Sequence, residues 1–486
     1  MHFIDLSIFI LYMVAMLSVG YFFLRKNKNA DDYYVGGRKM GSLHVGLSVV
    51  ATDVGGGFSI GLGGLGFVMG IAGSWMLFTG LIGAWLSAVF LIPRVRKLSD
   101  KINLYTFPQI FEQFYNPRVA LLAGVISAIG YMGFTSSQIL AGAKLASATF
   151  IDLNLQTALI IMGVIAVVYT VMGGLKAVIY TDTIQWIILM SGLIFIGIPL
   201  SYNAIGGLSE IKATLPSDFL SFKNVSWQEL VNWAVTIIPI WFVGMTLYQR
   251  IYSTRSKKEA QRAWFYAGLF EWPVMAMMGV LLGLFSRVAL ENGMFAELGY
   301  ATMESIDSEM GLPLLLRKVL PVGLMGLMMS AYFSAIMSTA DSCLMASSGN
   351  VLTDILDKIF NFENKPKTVL RISQILTFAI GGLSLLLALT MQNVLDLMLY
   401  SYAFMVSGLF IPILGALFWK RSSSTAAFWS MLIGGATTLI LTETSAKLPF
   451  NLDPNIFGIT GSLVIFVMFS YVFPSKRYAP ESSAKS

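Results

Sequence analysis

Residues 42–70 read SLHVGLSVVATDVGGGFSIGLGGLGFVMG. The stretch is apolar and longer than the roughly 20 residues a helix needs to cross a bilayer. Its centre, Ala51-Thr52-Asp53-Val54-Gly55-Gly56-Gly57, is what a lipid-facing helix avoids. Three consecutive glycines each weaken a helix by roughly 1 kcal/mol relative to alanine, and Asp53 adds a carboxylate at membrane depth. Unwound backbone there frees carbonyl oxygens, hard ligands of the kind Na+ prefers. Close packing by small residues, continued by Gly61, Gly63, Gly64 and Gly66, is the alternative, but it leaves Asp53 unexplained.

The same apolar texture runs through the whole chain. Of 486 residues 56% are hydrophobic and only 12% charged, about half the charged share of a soluble protein. Apolar runs predict about thirteen transmembrane helices, near 4–23, 42–70, 73–93, 119–149, 156–172, 184–203, 229–249, 264–286, 313–346, 370–390, 394–418, 425–442 and 456–474. The class is an all-α integral membrane protein, since the short alternating segments of a barrel are missing. The first run reads as a retained span, without the basic start and small-residue cleavage site of a signal peptide. Basic residues gather in alternate loops: Arg25, Lys26, Lys28, Arg38 and Lys39; Arg94, Arg96, Lys97, Lys101 and Arg118; Arg250, Arg255, Lys257, Lys258 and Arg262; then Lys365, Lys367, Lys420 and Arg421. The loop with Glu297, Glu304, Asp307 and Glu309 is acidic. The positive-inside rule then puts the N-terminus outside and the C-terminus in the cytoplasm. It also accounts for the net charge of +6 without a nucleic-acid partner. Cys343 is the single cysteine, and His2 and His44 are the only histidines, so a disulfide, a Cys/His zinc site and a Ser-His-Asp triad are all excluded. The chain does not read as an enzyme.

Two more spans break the rules. Span 313–346 carries Ala335-Ile336-Met337-Ser338-Thr339-Ala340-Asp341-Ser342. Positions 335, 338 and 339 share a helix face, as do 338, 341 and 342, presenting hydroxyls and a carboxylate. Back-bonding of Ser and Thr to the preceding turn is the plainer account of the hydroxyls, though not of Asp341. Span 229–249 holds Pro239 and Gly244, flanked by Trp233 and Trp241, and the proline predicts a kink. Counting span 42–70 as the first of ten, 229–249 is the sixth. Broken helices at matching places in two halves point to inverted repeats around a binding site. Asp182, in Thr181-Asp182-Thr183, reads by position as a helix cap. Glu271, beside Trp272 and Pro273, is either a substrate partner or a boundary residue. Lys144, near the end of its span, is expected to snorkel.

Taken in order, several stretches resemble the sodium:solute symporter family over roughly residues 4–420. They are Asp31-Asp32-Tyr33-Tyr34-Val35-Gly36-Gly37-Arg38, Ala51 to Gly56, Tyr169 to Leu175, Tyr180 to Gln185, Gln249-Arg250, and Ser338 to Ser342. Within the family the likeness is greatest to sodium/proline symporters, with bacterial relatives of the high-affinity choline transporter next. The resemblance implies a LeuT-type fold. An extra helix and loop (1–41) precede two inverted five-helix repeats (42–203 and 204–420), and two extra helices with a tail (421–486) follow. It implies a main sodium site from the carbonyls of Ala51, Val54 and Ala335 and the hydroxyls of Ser338 and Thr339, with Asp53 as neighbour. Some members carry a second sodium, whose positions here are Asp182, Ser338, Asp341 and Ser342; this turns Asp182 from cap to ligand. The solute would lie among Gly55, Gly56, Gly57, Phe58, Trp75, Phe78, Phe134, Trp241 and Gly244. Gly57 and Gly244 depart from the bulkier residues of the compared members. Tyr400 and Tyr402 are the gate candidates.

These implications describe a multi-pass protein of the inner membrane, monomeric, coupling Na+ to import of a small polar or zwitterionic solute by alternating access. Two other readings stay open at this point. One is proton coupling through Asp53 or Asp341. The other is a sensor or channel that binds or leaks solute without accumulating it.

Overall fold

The computed structural model describes residues 2–26, 35–53, 55–150, 153–172, 175–360, 366–444 and 447–474. Among these residues it is helical throughout, with a single isolated bridge between Met40 and Thr254 and no β-strand. The long helices are α1 (Phe3–Lys26), α2 (Ser42–Asp53), α3 (Gly55–Met69), α4 (Trp75–Leu86), α5 (Pro117–Thr149), α6 (Leu155–Met172), α7 (Leu175–Gly192), α8 (Trp227–Val243), α9 (Met245–Ser253), α10 (Lys257–Leu269), α11 (Ala276–Glu291), α12 (Leu324–Asn350), α13 (Pro366–Ala388), α14 (Val394–Phe418), α15 (Ser424–Glu443) and α16 (Pro454–Val472).

The expected spans fall on helical stretches, but not one to one: 313–346 is divided between a separate helix, Gly311–Val319, and α12, and 184–203 continues from α7 through a π-turn into Ile198–Ala204. Among the described residues, eight helical stretches are long and apolar enough to cross a bilayer on those grounds alone, nine if the bent α8–α9 pair counts as one. α12 is not among the eight, because Ser330, Ser334, Ser338, Thr339, Asp341, Ser342, Ser347 and Ser348 dilute its hydropathy. Those polar residues are tolerated because α12 is the central helix, buried around most of its circumference and packed against α1, α2, α3, α5, α6, α7 and α13. The last two helices, α15 and α16, pack on each other and on α14 at the periphery.

The break at the triple glycine is present. α2 ends at Asp53 and α3 starts at Gly55, whose φ of +54° is a left-handed conformation that costs other L-residues roughly 1–2 kcal/mol. The small-residue alternative also holds, about three turns further on. A Cβ at Gly66 would run into the Val280 carbonyl of α11, so the later glycines let α3 and α11 approach closely. In the second broken span the bend of 43° falls at Gly244, five residues past Pro239, which stays inside α8. The expected proline kink is therefore a glycine break. α1 is pinned to α12 by Asp5, whose Oδ1 accepts the N–H groups of Gly323 and Gly326 at 2.7 and 2.8 Å. These are free donors at the start of a helix, where a carboxylate is favourable.

Candidate functional site

The end of α2 and the middle of α12 meet at the break. Thr339 Oγ1 lies 2.9 Å from Ala51 O and 3.1 Å from Ala335 O. One hydroxyl thus faces two carbonyls on two helices, the first of them at a helix end where carbonyls lack intrahelical partners. Three of the five expected main-site ligands are brought together in this way. Val54 lies outside the described residues, as do the side chains of Asp53, Gly56 and Phe58. Ser338 points elsewhere: its hydroxyl donates to Asp182 Oδ1.

That bond opens a second polar cluster beside the first. Asp182 of α7 is fully buried and also accepts from Ser48 Oγ at 2.5 Å. Arg250 of α9, equally buried, places Nη2 at 3.6 Å from Asp182 Oδ2. Its Nε donates to Ser48 Oγ at 3.0 Å, its Nη1 to Thr246 O at 3.2 Å, and its Nη2 to Ser342 Oγ at 3.2 Å and to Thr52 Oγ1. Three of the four second-site positions, Asp182, Ser338 and Ser342, therefore share one hydrogen-bonded network, and its cation is a guanidinium. The fourth, Asp341, is buried with Thr170 beside it, and among the described residues neither of its carboxylate oxygens meets hydrogen-bond geometry with a partner. The Thr170 hydroxyl nearby donates to Ala166 O instead. Assigning Arg250 to a basic cytoplasmic loop was wrong. It sits inside a membrane helix because four oxygen acceptors and a carboxylate replace its water.

The proposed solute residues fall into separate places. Phe134 of α5 is buried and stacks edge-on against Tyr402 of α14, with centroids 5.0 Å apart. Tyr131, one turn earlier, bonds Thr246 Oγ1 at 3.0 Å and accepts the Thr246 N–H, just past the break at Gly244. Gly57 and Gly244 lie at the two breaks, against Gln138 and Tyr131 of α5, and Phe134 lies between those two residues on the same helix. Trp241 turns away, packed on Trp264 of α10 at 6.3 Å and over Gly83 of α4. Trp75 and Phe78 form another cluster with Phe222 and Trp272, and Trp75 Nε1 donates to Phe222 O. Tyr400, two residues from Tyr402, lines a different cavity of about 210 Å³ with Glu229, Trp233, Asp396 and Asp453.

Three polar groups carry more than their sequence positions revealed. Lys144 does not snorkel. It is fully buried, bonded to Glu309 Oε2 at 2.6 Å and to Asp307, and Glu309 also accepts the N–H groups of Val394 and Leu395 at 2.9 Å each. The acidic loop thus clamps α5 to the start of α14. Glu271 is no boundary residue: it is fully buried in a π-bulge, Phe270–Met275, with Gly80 of α4 against its carboxylate. Gln138, unnoticed in the sequence, is fully buried on α5 and accepts the Gly57 N–H at 3.2 Å. A polar residue in mid-span was the available signal.

Comparison with known proteins places the chain in a family. A family model described as the sodium:solute symporter family matches residues 33–434. The high-affinity proline transporter PutP of Bacillus subtilis is 28% identical over 442 residues, 87% of this chain and 89% of that protein. The osmoregulated proline transporter OpuE of the same organism is 27% identical over 97% of this chain and 95% of its own length. Among solved structures, the substrate-bound outward-open state of a Na+-coupled sialic acid symporter matches with a TM-score of 0.79 at 22% identity, over 98% of this chain and 99% of that one. Mhp1, a nucleobase-cation-symport-1 family transporter, matches with a TM-score of 0.57 at 14% identity, over 91% and 94%. These structures establish a shared LeuT-like transporter fold. With the family model spanning most of its length, the chain belongs to the sodium:solute symporter family, whose members are transporters and not enzymes.

Proposed function

We propose that this protein is a sodium-driven symporter that carries a small zwitterionic, amino-acid-like solute inward across the inner membrane by alternating access. The observation that carries the reading is the single hydroxyl of Thr339 facing Ala51 O on one helix and Ala335 O on another. A cation there, completed by Val54 O and a turned Ser338, would hold α2 and α12 together, and its loss would release them. Asp53 would add negative charge nearby. The proline transporters among the relatives support an amino-acid-like cargo. Thirteen spans, two inverted repeats (42–203 and 204–420), an outer N-terminus, a cytoplasmic C-terminus and a monomeric state complete the proposal, the orientation resting on the basic loops. Tyr402, against Phe134, is the better-placed gate.

Coupling is reciprocal: if Na+ tightens solute binding, solute tightens Na+ binding by the same factor. The membrane potential contributes about 2.3 kcal/mol per charge at 100 mV. Proton coupling keeps one observation in its favour, the buried carboxylate of Asp341, which meets no hydrogen-bond geometry among the described residues. Uptake into proteoliposomes separates the two. An inward Na+ gradient at equal pH should drive accumulation, whereas uptake driven by a pH gradient alone and indifferent to Na+ would assign the work to Asp341.

A further inference from the structure

On α5 the run Phe134-Thr135-Ser136-Ser137-Gln138 carries polar groups in mid-membrane. The three hydroxyls are satisfied locally, donating to Tyr131 O, Met132 O and Phe134 O of their own helix. Gln138 is not. Its Oε1 takes the Gly57 N–H, but among the described residues its Nε2 meets Ser137 Oγ at 3.4 Å and Met398 Sδ at 3.8 Å and nothing nearer. An amide offers two donors, and here both have weak partners although the residue is fully buried.

The acceptor side is equally informative. Gly57 is the third residue of α3, so its N–H is one of the donors that a helix start leaves unpaired, at the partially positive end of the dipole. Gln138 Oε1 supplies the acceptor. It can approach because residue 57 is glycine: a Cβ there would lie 2.6 Å from Nε2 and 2.8 Å from Oε1. One turn back on α5 is Phe134, stacked on Tyr402, and Gly133 lies against Ser401 Oγ. A polar end made of amide and helix-start donors thus adjoins an aromatic end.

Building on the symport reading above, we propose that Gln138 is the specificity-determining residue of the solute pocket, and that it selects a carboxylate. Its Oε1, accepting the Gly57 N–H, occupies the place at the start of α3 that the solute's carboxylate would take. On binding, the solute's oxygens take over the Gly57 N–H, and the amide turns so that Nε2 donates to the same carboxylate. The pairing of a glycine at 57 with a glutamine at 138 sets both the room and the charge of that end.

The test is solute binding to purified protein, read as thermal stabilisation in Na+ and in K+, with proline, its amide and its methyl ester as probes. The wild type should favour the carboxylate over the amide by roughly ten- to a hundred-fold, the range for a hydrogen bond to a charged group. Gln138→Glu should abolish or invert that preference while the response to Na+ alone stays. Gly57→Ala, whose Cβ meets only the mobile end of Gln138, should weaken carboxylate binding in a protein that still folds, which covers the case of an unfolded Gln138→Glu. Unchanged preference in both variants overturns the proposal, as does a wild type that binds the three probes equally in Na+; symport survives either result. A wild type indifferent to Na+ with every probe overturns the symport reading and this inference with it.

Discussion

Replacing Lys144 with methionine keeps most of the apolar stem, one atom shorter, and removes the charge. The ammonium lies in a site where its side chain is 1% exposed, and Glu309 opposite is 6% exposed. Breaking a buried pair by deleting one partner costs about 3–5 kcal/mol, because the other charge is stranded. Two features lower the figure here. Glu309 keeps the N–H groups of Val394 and Leu395, and these sit at the start of α14, where the dipole favours an anion. Asp307, at 33% exposure, belongs with surface pairs worth under about 1 kcal/mol. Lys144→Met should therefore destabilise by about 3 kcal/mol. A double-mutant cycle with Glu309→Gln isolates the pair, using chemical unfolding in detergent followed by circular dichroism. The coupling energy should be about 2 kcal/mol or more, with the double variant more stable than Lys144→Met alone. Coupling below about 0.5 kcal/mol, the level at which independent sites add, would refute the clamp and return Lys144 to the status of a surface charge.

Arg250→Met should cost about 3–5 kcal/mol by stranding Asp182 among hydroxyls, and adding Asp182→Asn should recover more than half of it in the same unfolding assay. Gly55→Ala should cost about 1–2 kcal/mol for the left-handed backbone alone. Its Cβ would also sit 2.8 Å from Thr339 Oγ1, so stabilisation by Na+ should be lost along with it, as a thermal scan in Na+ against K+ would record. At the start of α16, burial, and after it the charge of Asp396, lift the pKa of Asp453 to about 6. Between about pH 4 and pH 6 the folded protein holds a proton that the unfolded chain releases, so this group's contribution to stability falls as pH rises through that window. Asp453→Asn should flatten that slope and raise the melting temperature at pH 7; a steeper slope would exclude Asp453 as its source.

What the sequence revealed depended on whether the signal was local. The break at 51–57 was legible because glycines and a carboxylate stand out against an apolar span, and the oxygen face of 335–342 because its spacing is helical. The partners of charged residues were not legible. Lys144 and Glu309 are separated by 165 residues, and nothing local distinguishes a snorkelling lysine from a clamped one. Arg250 lies close enough to a helix end to count as a loop charge until α9 is seen to bury it. Aromatic residue types were readable, but the side each faces depends on helical phase. At about 100° per residue, Tyr400 and Tyr402 point to nearly opposite sides, one to the cavity lined by Glu229 and Asp453 and the other to Phe134. Trp241 faces Gly83 for the same reason. Proline also drew attention from the glycine beyond it: Pro239 stays helical, whereas Gly244 supplies the bend.

The central claim is that Na+ binds where α2 meets α12. Equilibrium binding of radioactive ²²Na+ to the purified protein, wild type against Thr339→Ala, measures it directly. The account predicts saturable binding to the wild type, undiminished by an excess of K+, and at least a roughly ten-fold loss of affinity in the variant, the effect of removing about 1.4 kcal/mol of ligand interaction. Equal, saturable binding to both proteins would place the ion elsewhere, and absence of saturable binding to the wild type would contradict sodium coupling itself.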